Sequence, residues 1–178
     1  GGADLRLPSQ RDQISPLDHA TAKRHNEIAK VLRAALDADK PSKQVANRRL
    51  LAAAQRGDET AVALAIRAGA NLEARDQRGR TPLLLAVTED RLAVARLLVH
   101  LGANPDALDD QHDTPWLVTG VTGSVPMLEV LLPAAPDLKI RNRFGGTSLI
   151  PASERGHVAY VRRVVRTDIE INHVNNLG

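Results

Sequence analysis

Cysteine is absent from the 178 residues, which excludes disulfides and thiolate metal sites and leaves the compartment open. Trp, Tyr, Phe and Met occur once each, so any core must be aliphatic, built from Leu, Val, Ile and Ala. That scarcity of aromatics also argues against a surface that interleaves with bases. No run of about 18 apolar residues is present, so no spanning helix is expected. The net charge is only +3, and nothing global demands nucleic acid. G-x-x-x-x-G-K, H-E-x-x-H and G-x-S-x-G do not occur, and Gly145-Gly146 reads as a hairpin turn. The six histidines (His19, His25, His100, His112, His157 and His173) show no tight i, i+4 pairing. His112 stands among Asp109, Asp110 and Asp113, a metal-like grouping that reads more simply as a hydrated turn. No catalysis, metal or cofactor is expected.

What is present is periodic. Arg80 to Asn104 (RTPLLLAVTEDRLAVARLLVHLGAN) predicts two short apolar helices broken near Glu89-Asp90-Arg91. Thr81 can cap the first helix and Pro82 suits its first position, where a missing N–H costs nothing. Gly102 supplies the left-handed residue that stops the second. Such a pair cannot bury its own apolar faces and needs neighbours.

The neighbours recur every 33 residues. Ser15-Pro16-Leu17, Thr81-Pro82-Leu83, Thr114-Pro115-Trp116 and Thr147-Ser148-Leu149 share one phase, and Leu50 holds the matching place in a unit without the tripeptide. A core column reads Ala20, Ala53, Ala86, Thr119, Ala152. A second-helix column reads Leu32, Ala65, Leu98, Leu131, Val164, and a stop column Gly69, Gly102, Ala135, Asp168. With its 33-residue period and T-P-L, the chain resembles the ankyrin repeat over nearly its whole length. R-F-G-G-T at Arg143 to Thr147 and G-A-N at Gly69 and Gly102 resemble bacterial members. The resemblance implies an all-α ankyrin-repeat solenoid of about five helix-turn-helix units with short hairpin loops. Many bacterial members carry an export signal, so the likeness favours a periplasmic home over a cytoplasmic one. No such signal stands in this sequence.

Residues 1–178 read as a single ankyrin-repeat domain. Residues 1–37 resemble a terminal repeat, with Arg24 in the glycine position between its helices. Residues 38–45, around Pro41, read as a linker or break, and 46–178 as repeats beginning with a capping unit. Gly1-Gly2-Ala3-Asp4 resembles the close of a repeat, while Gly178 is in phase with Gly79 and Gly145. The order therefore reads as permuted. A segment between Gly178 and Gly1 has been lost or left out, or the gene was rearranged; the first is favoured, and a mass clearly above 19.2 kDa would support it. The only Met is Met127 and no leader precedes Gly1, so a processed, trimmed or engineered molecule is expected.

In the resembled family, partners dock on hairpin tips and on outward positions of the first helices. Carried over by column, the second unit offers Arg75, Gln77, Arg78, Arg80, Thr88 and Glu89. The third offers Leu108, Asp110, Gln111, Asp113, Val121 and Thr122, and the fourth Arg141, Arg143, Phe144, Glu154 and Arg155. These positions are expected to be spare for recognition. Phe144 reads either as a partner's anchor or as a ring folded over Ile140 or a neighbouring tip. Trp116 replaces a core Leu and reads as core. Lys139 to Arg166 holds seven basic residues and one acid, beside Asp106, Asp109, Asp110 and Asp113. The contrast is either a steering strip or pairs that neutralise one another across adjacent tips. Arg163 falls in an apolar column, so its stem must snorkel or its helix rotate.

The expected function is recognition of another protein by a monomer, without nucleic acid or membrane. Two alternatives are a regulator that binds a small anionic ligand on the charged strip, and an engineered or truncated scaffold with no partner.

Overall fold

The computed structural model describes residues 15–23, 25–38 and 42–176. The readings of Gly1 to Asp4, Arg24, Pro41 and Gly178 fall outside them. The chain forms two compact units, residues 1–42 and 43–178. All ten α-helices among the described residues come in pairs, and no strand occurs there, so the protein is an all-α repeat array.

The first unit shows one pair, α1 (Pro16–Ala22) and α2 (Asn26–Ala38). Ser15 caps α1: its Oγ accepts from the Asp18 N–H at 3.2 Å and donates to the Asp18 carboxylate at 2.6 Å. Ala20 and Ala29 are buried. Small side chains let the two helices approach closely.

The second unit holds four pairs. These are α3 (Lys43–Arg56) with α4 (Glu59–Arg67), and α5 (Pro82–Thr88) with α6 (Leu92–His100). Then come α7 (Pro115–Thr122) with α8 (Val125–Leu131), and α9 (Leu149–Glu154) with α10 (Val158–Val164). The first helices pack in the series α3, α5, α7, α9 and the second helices in the series α4, α6, α8, α10. One aliphatic core runs through the stack. In α3 the buried positions Ala46, Leu50, Ala53 and Ala54 follow the helical period, which marks one inward face. In α5, flanked on both sides, every residue from Pro82 to Val87 is buried.

The repeat columns become layers of that core. Leu50, Leu83, Trp116 and Leu149 are all buried, and Trp116 is a core residue as expected. A Leu fully buried in such a layer stabilises by about 1.5–3 kcal/mol relative to an exposed one. Thr119, in the alanine column, has a specific reason to be there. Its hydroxyl donates to the Trp116 carbonyl at 2.7 Å and so accepts from the Tyr160 hydroxyl at 2.7 Å. The one Tyr, in the fourth pair, thus satisfies its buried polar end on the third.

Thr81 and Thr114 cap α5 and α7 by accepting from the N–H groups of Leu84 (3.2 Å) and Leu117 (3.1 Å). Gly69 and Gly102 close α4 and α6 with φ of +91° and +90°. In the same column Ala135 takes a left-handed φ of +51° after a 3-10 turn, Leu132–Ala134, that contains Pro133. The fourth pair departs more. Pro151 has no N–H to offer the Thr147 carbonyl, so Ile150 donates there instead at 3.3 Å. The Thr147 hydroxyl is left buried without a partner, and α9 starts only at Leu149. Arg163 stays in its column by reaching out of it: its guanidinium holds Glu129, with Nη2 3.1 Å from the carboxylate.

Candidate functional site

Each hairpin between pairs is tied by one side chain. Asp76 Oδ1 accepts from the N–H groups of Arg78 and Arg80, both at 2.9 Å. Asp109 does the same for Gln111 and Asp113 (2.8 and 2.9 Å), and Asn142 for Phe144 and Gly146 (both 3.0 Å). In all three, the N–H of the Asx residue donates to the carbonyl of the residue four further on. A short Asp or Asn side chain suits this because it reaches back to nearby backbone groups. The column 76, 109, 142 went unnoticed in the sequence, although its D, D, N pattern at the repeat spacing was visible.

The tips also bond to one another. The Asp110 N–H donates to the Arg78 carbonyl at 3.1 Å, and the Asn176 N–H to the Phe144 carbonyl at 2.9 Å. Among the described residues no matching bond joins Arg143 to Gln111. At this tip His112 occupies the column of Gly79 and Gly145, with φ of +59°. A Cβ at Gly79 would press on the Asp110 side chain and one at Gly145 on Asn176, so His112 carries its Cβ where close tip contact needs none.

The residues expected to be spare divide into two groups. Arg75 and Arg80 are not spare. Arg75 Nη1 donates to the Gly79 carbonyl at 2.7 Å and to the Leu108 carbonyl of the next hairpin. Arg80, half-buried, donates to Asp76 at 2.7–2.8 Å. The expectation fails there because an Arg stem beside a tight turn finds unpaired carbonyls and a carboxylate within reach. Gln77, Arg78, Asp110 and Gln111 sit at the tips, and no side-chain hydrogen bond or ion pair engages them among the described residues. The Arg143 guanidinium lies over the Phe144 ring at 4.7 Å from its centroid, and Phe144 remains 43 % exposed. Arg141 reaches Glu170 at 3.5 Å. Arg155 lies apart from the tips, at the C-cap of α9.

The acidic cluster is mostly committed as well. Asp109 is buried in its turn, and Asp106 accepts the Asp137 N–H at 3.0 Å. Burial pushes the carboxyls of Asp106 and Asp113 up. The Asp137 N–H draws Asp106 back down while the Asp137 carboxylate raises it; for Asp113, Asp109 adds to the rise and Arg143 draws it back down.

Beside the Asp76 hairpin lies a groove of about 490 Å3. Leu51, Ala52 and Leu85 form its floor, and Arg48, Gln55, Arg75 and Gln77 its rim. Leu51, Ala74 and Leu85 form a small apolar cluster of their own, apart from the main core. The sequence reading missed Arg48 and Gln55, because a capping unit without its hairpin offers no tip column to carry over.

The layered columns and capped pairs have a counterpart among known proteins. The family model described as ankyrin repeats (3 copies) matches residues 19–109, just over half of the chain. The chain belongs to the ankyrin-repeat family. The Escherichia coli (strain K12) ankyrin repeat protein YahD is 33% identical over 129 residues, 72% of this chain and 64% of that protein. The mouse ankyrin repeat domain-containing protein 63 is 36% identical over 100 residues, 54% of this chain and 26% of that protein. The chain spans less than two thirds of each. Ankyrin repeats are generally protein–protein interaction modules.

Within this ankyrin array, other candidates have structural duties. His157 Nε2–H donates to the Val121 carbonyl at 3.2 Å, which fastens the α9–α10 turn to α7. His173 bonds the Gly145 carbonyl of the hairpin before it. No helix among the described residues is long and apolar enough to cross a membrane.

Proposed function

We propose that the chain recognises another protein through its hairpin tips and the strip of first helices beside them, by binding and without chemistry. One observation supports this reading above others. The tip backbones are held by their own Asx residues, while Gln77, Arg78, Asp110 and Gln111 have side chains with no hydrogen bond or ion pair among the described residues, and Phe144 is 43% exposed. A rigid backbone with spare side chains loses little conformational entropy on binding. Phe144, with Arg143 stacked on it, supplies an apolar and cationic contact, and Arg78 a second cationic point. Arg143 lowers the Asp113 carboxyl, so these two charges interact between neighbouring tips.

The test is affinity capture from a lysate of the organism that carries the gene. It compares the wild-type chain with Arg78→Ala, Phe144→Ala and, on the second-helix face, Arg96→Ala. A captured protein should be lost with Phe144→Ala, weakened with Arg78→Ala and kept with Arg96→Ala. Equal retention by all three would remove the tips from the site.

A further inference from the structure

α3 differs from the other first helices in what surrounds it. It carries Lys43, Arg48, Arg49 and Arg56 and no acid, so its field is of one sign along its length. A groove opens on each side. One, already described, faces the Asp76 hairpin. The other, also of about 490 Å3, lies between α3 and α4 on a floor that includes Ala61, Leu64 and Ala65. Leu64 is 57% exposed there. Arg48 and Ala52 line both grooves, so the two meet across one turn of α3.

The charges around this surface are unbalanced. Arg48, Arg49 and Arg56 have no ion pair or side-chain hydrogen bond among the described residues. Arg75 donates only to neutral carbonyls, so its charge is uncompensated. Among the described residues Asp76 is the one carboxylate lining either groove, and Arg80 neutralises it at 2.7 Å. Four guanidiniums therefore border apolar floors with no free acid between them among the described residues.

We propose that α3 docks an acidic, amphipathic segment of a partner protein, which crosses the helix at Arg48 and Ala52 and sets an apolar side chain in each groove. This rests on the protein-binding reading and names the partner's chemistry. Each groove has the volume of a small-ligand site and takes one Leu- or Phe-sized side chain. Carboxylates at the crossing would meet Arg48 and Arg49 by bidentate hydrogen bonds, the geometry a planar guanidinium favours. A nucleic-acid strand fits less well, because no aromatic ring lines either groove to stack on its bases.

The experiment pans a random dodecapeptide phage library on the immobilised 178-residue chain. Enriched peptides are then titrated by fluorescence anisotropy against the wild type, Arg48→Glu, Ala52→Trp and Phe144→Ala. Residues 48 and 52 are exposed, so both α3 variants should keep the wild-type thermal transition. Enriched peptides should place two or more Asp or Glu among large apolar residues. Arg48→Glu should weaken them about tenfold or more, Ala52→Trp should block them, and rising salt should weaken the wild type. Neutral or basic peptides, or indifference to Arg48→Glu, would overturn the assignment. So would a single-stranded 20-mer DNA that binds more tightly than the peptides, or a concentration-dependent dimer that Ala52→Trp disperses. Peptides weakened only by Phe144→Ala would sink the role of α3 and leave protein recognition by the tips standing.

Discussion

Arg75 clasps Leu108 across one whole repeat: its Nη1 reaches the Leu108 carbonyl while also holding the Gly79 carbonyl of its own hairpin at 2.7 Å. One guanidinium thus fixes the spacing of two neighbouring tips.

Arg75→Ala should therefore lower stability by about 1 kcal/mol, as expected for hydrogen bonds at a partly hydrated site. Arg75→Lys should recover only part of this, since an ammonium lacks the planar fork. Urea unfolding followed by circular dichroism reads both. A Lys variant as stable as the wild type would mean that charge alone, and not the forked geometry, matters there.

Gly120 permits the closest approach in the stack. A Cβ on it would sit 1.9 Å from the Ser148 carbonyl oxygen and 2.7 Å from its carbon, and a backbone cannot swing aside as a side chain can. Gly120→Ala should cost about 3 kcal/mol or more, with α9 displaced from α7. Thermal unfolding within about 1 kcal/mol of the wild type would show that the α7–α9 contact gives way cheaply.

Pro151 explains the failed cap on α9, so replacing it should repair the cap. In Pro151→Ala the new N–H can donate to the Thr147 carbonyl, as Leu85 does to Thr81, and Ile150 is freed for the Thr147 hydroxyl. A gain of about 1 kcal/mol is expected. A loss in calorimetry would mean that the ring's packing outweighs the missing bond.

The carboxyls set opposite pH limbs. Burial pushes Asp76 up, but the N–H groups of Arg80 and Arg78 and the Arg80 guanidinium outweigh this and hold it below the ordinary aspartate range. Its contribution is present above the unfolded value and is lost as pH falls through the folded one. Asp106 and Asp113 are raised, so their contribution is full below the unfolded value and lost as pH rises through the folded one. On acidification from neutral pH, Tm should first hold or rise and then fall. Asp113→Asn should flatten the first limb and Asp76→Asn the second. Two variant curves parallel to the wild type would contradict both assignments.

The repeat was legible because a 33-residue period reads directly as layers: Leu50, Leu83, Trp116 and Leu149 had to share one environment. Caps and stops were legible too, since Thr81 and Gly102 act on backbone groups a few residues away. Local chemistry and periodicity thus determined the helix pairs and their order of stacking. The tertiary structure alone decided which tip residues are spare. Arg75 and Arg80 looked as available as Arg78, and only folding brought the Leu108 carbonyl and the Asp76 carboxylate within their reach. It also exposed both flanks of α3, because a groove is a property of two elements and no single stretch of sequence contains it.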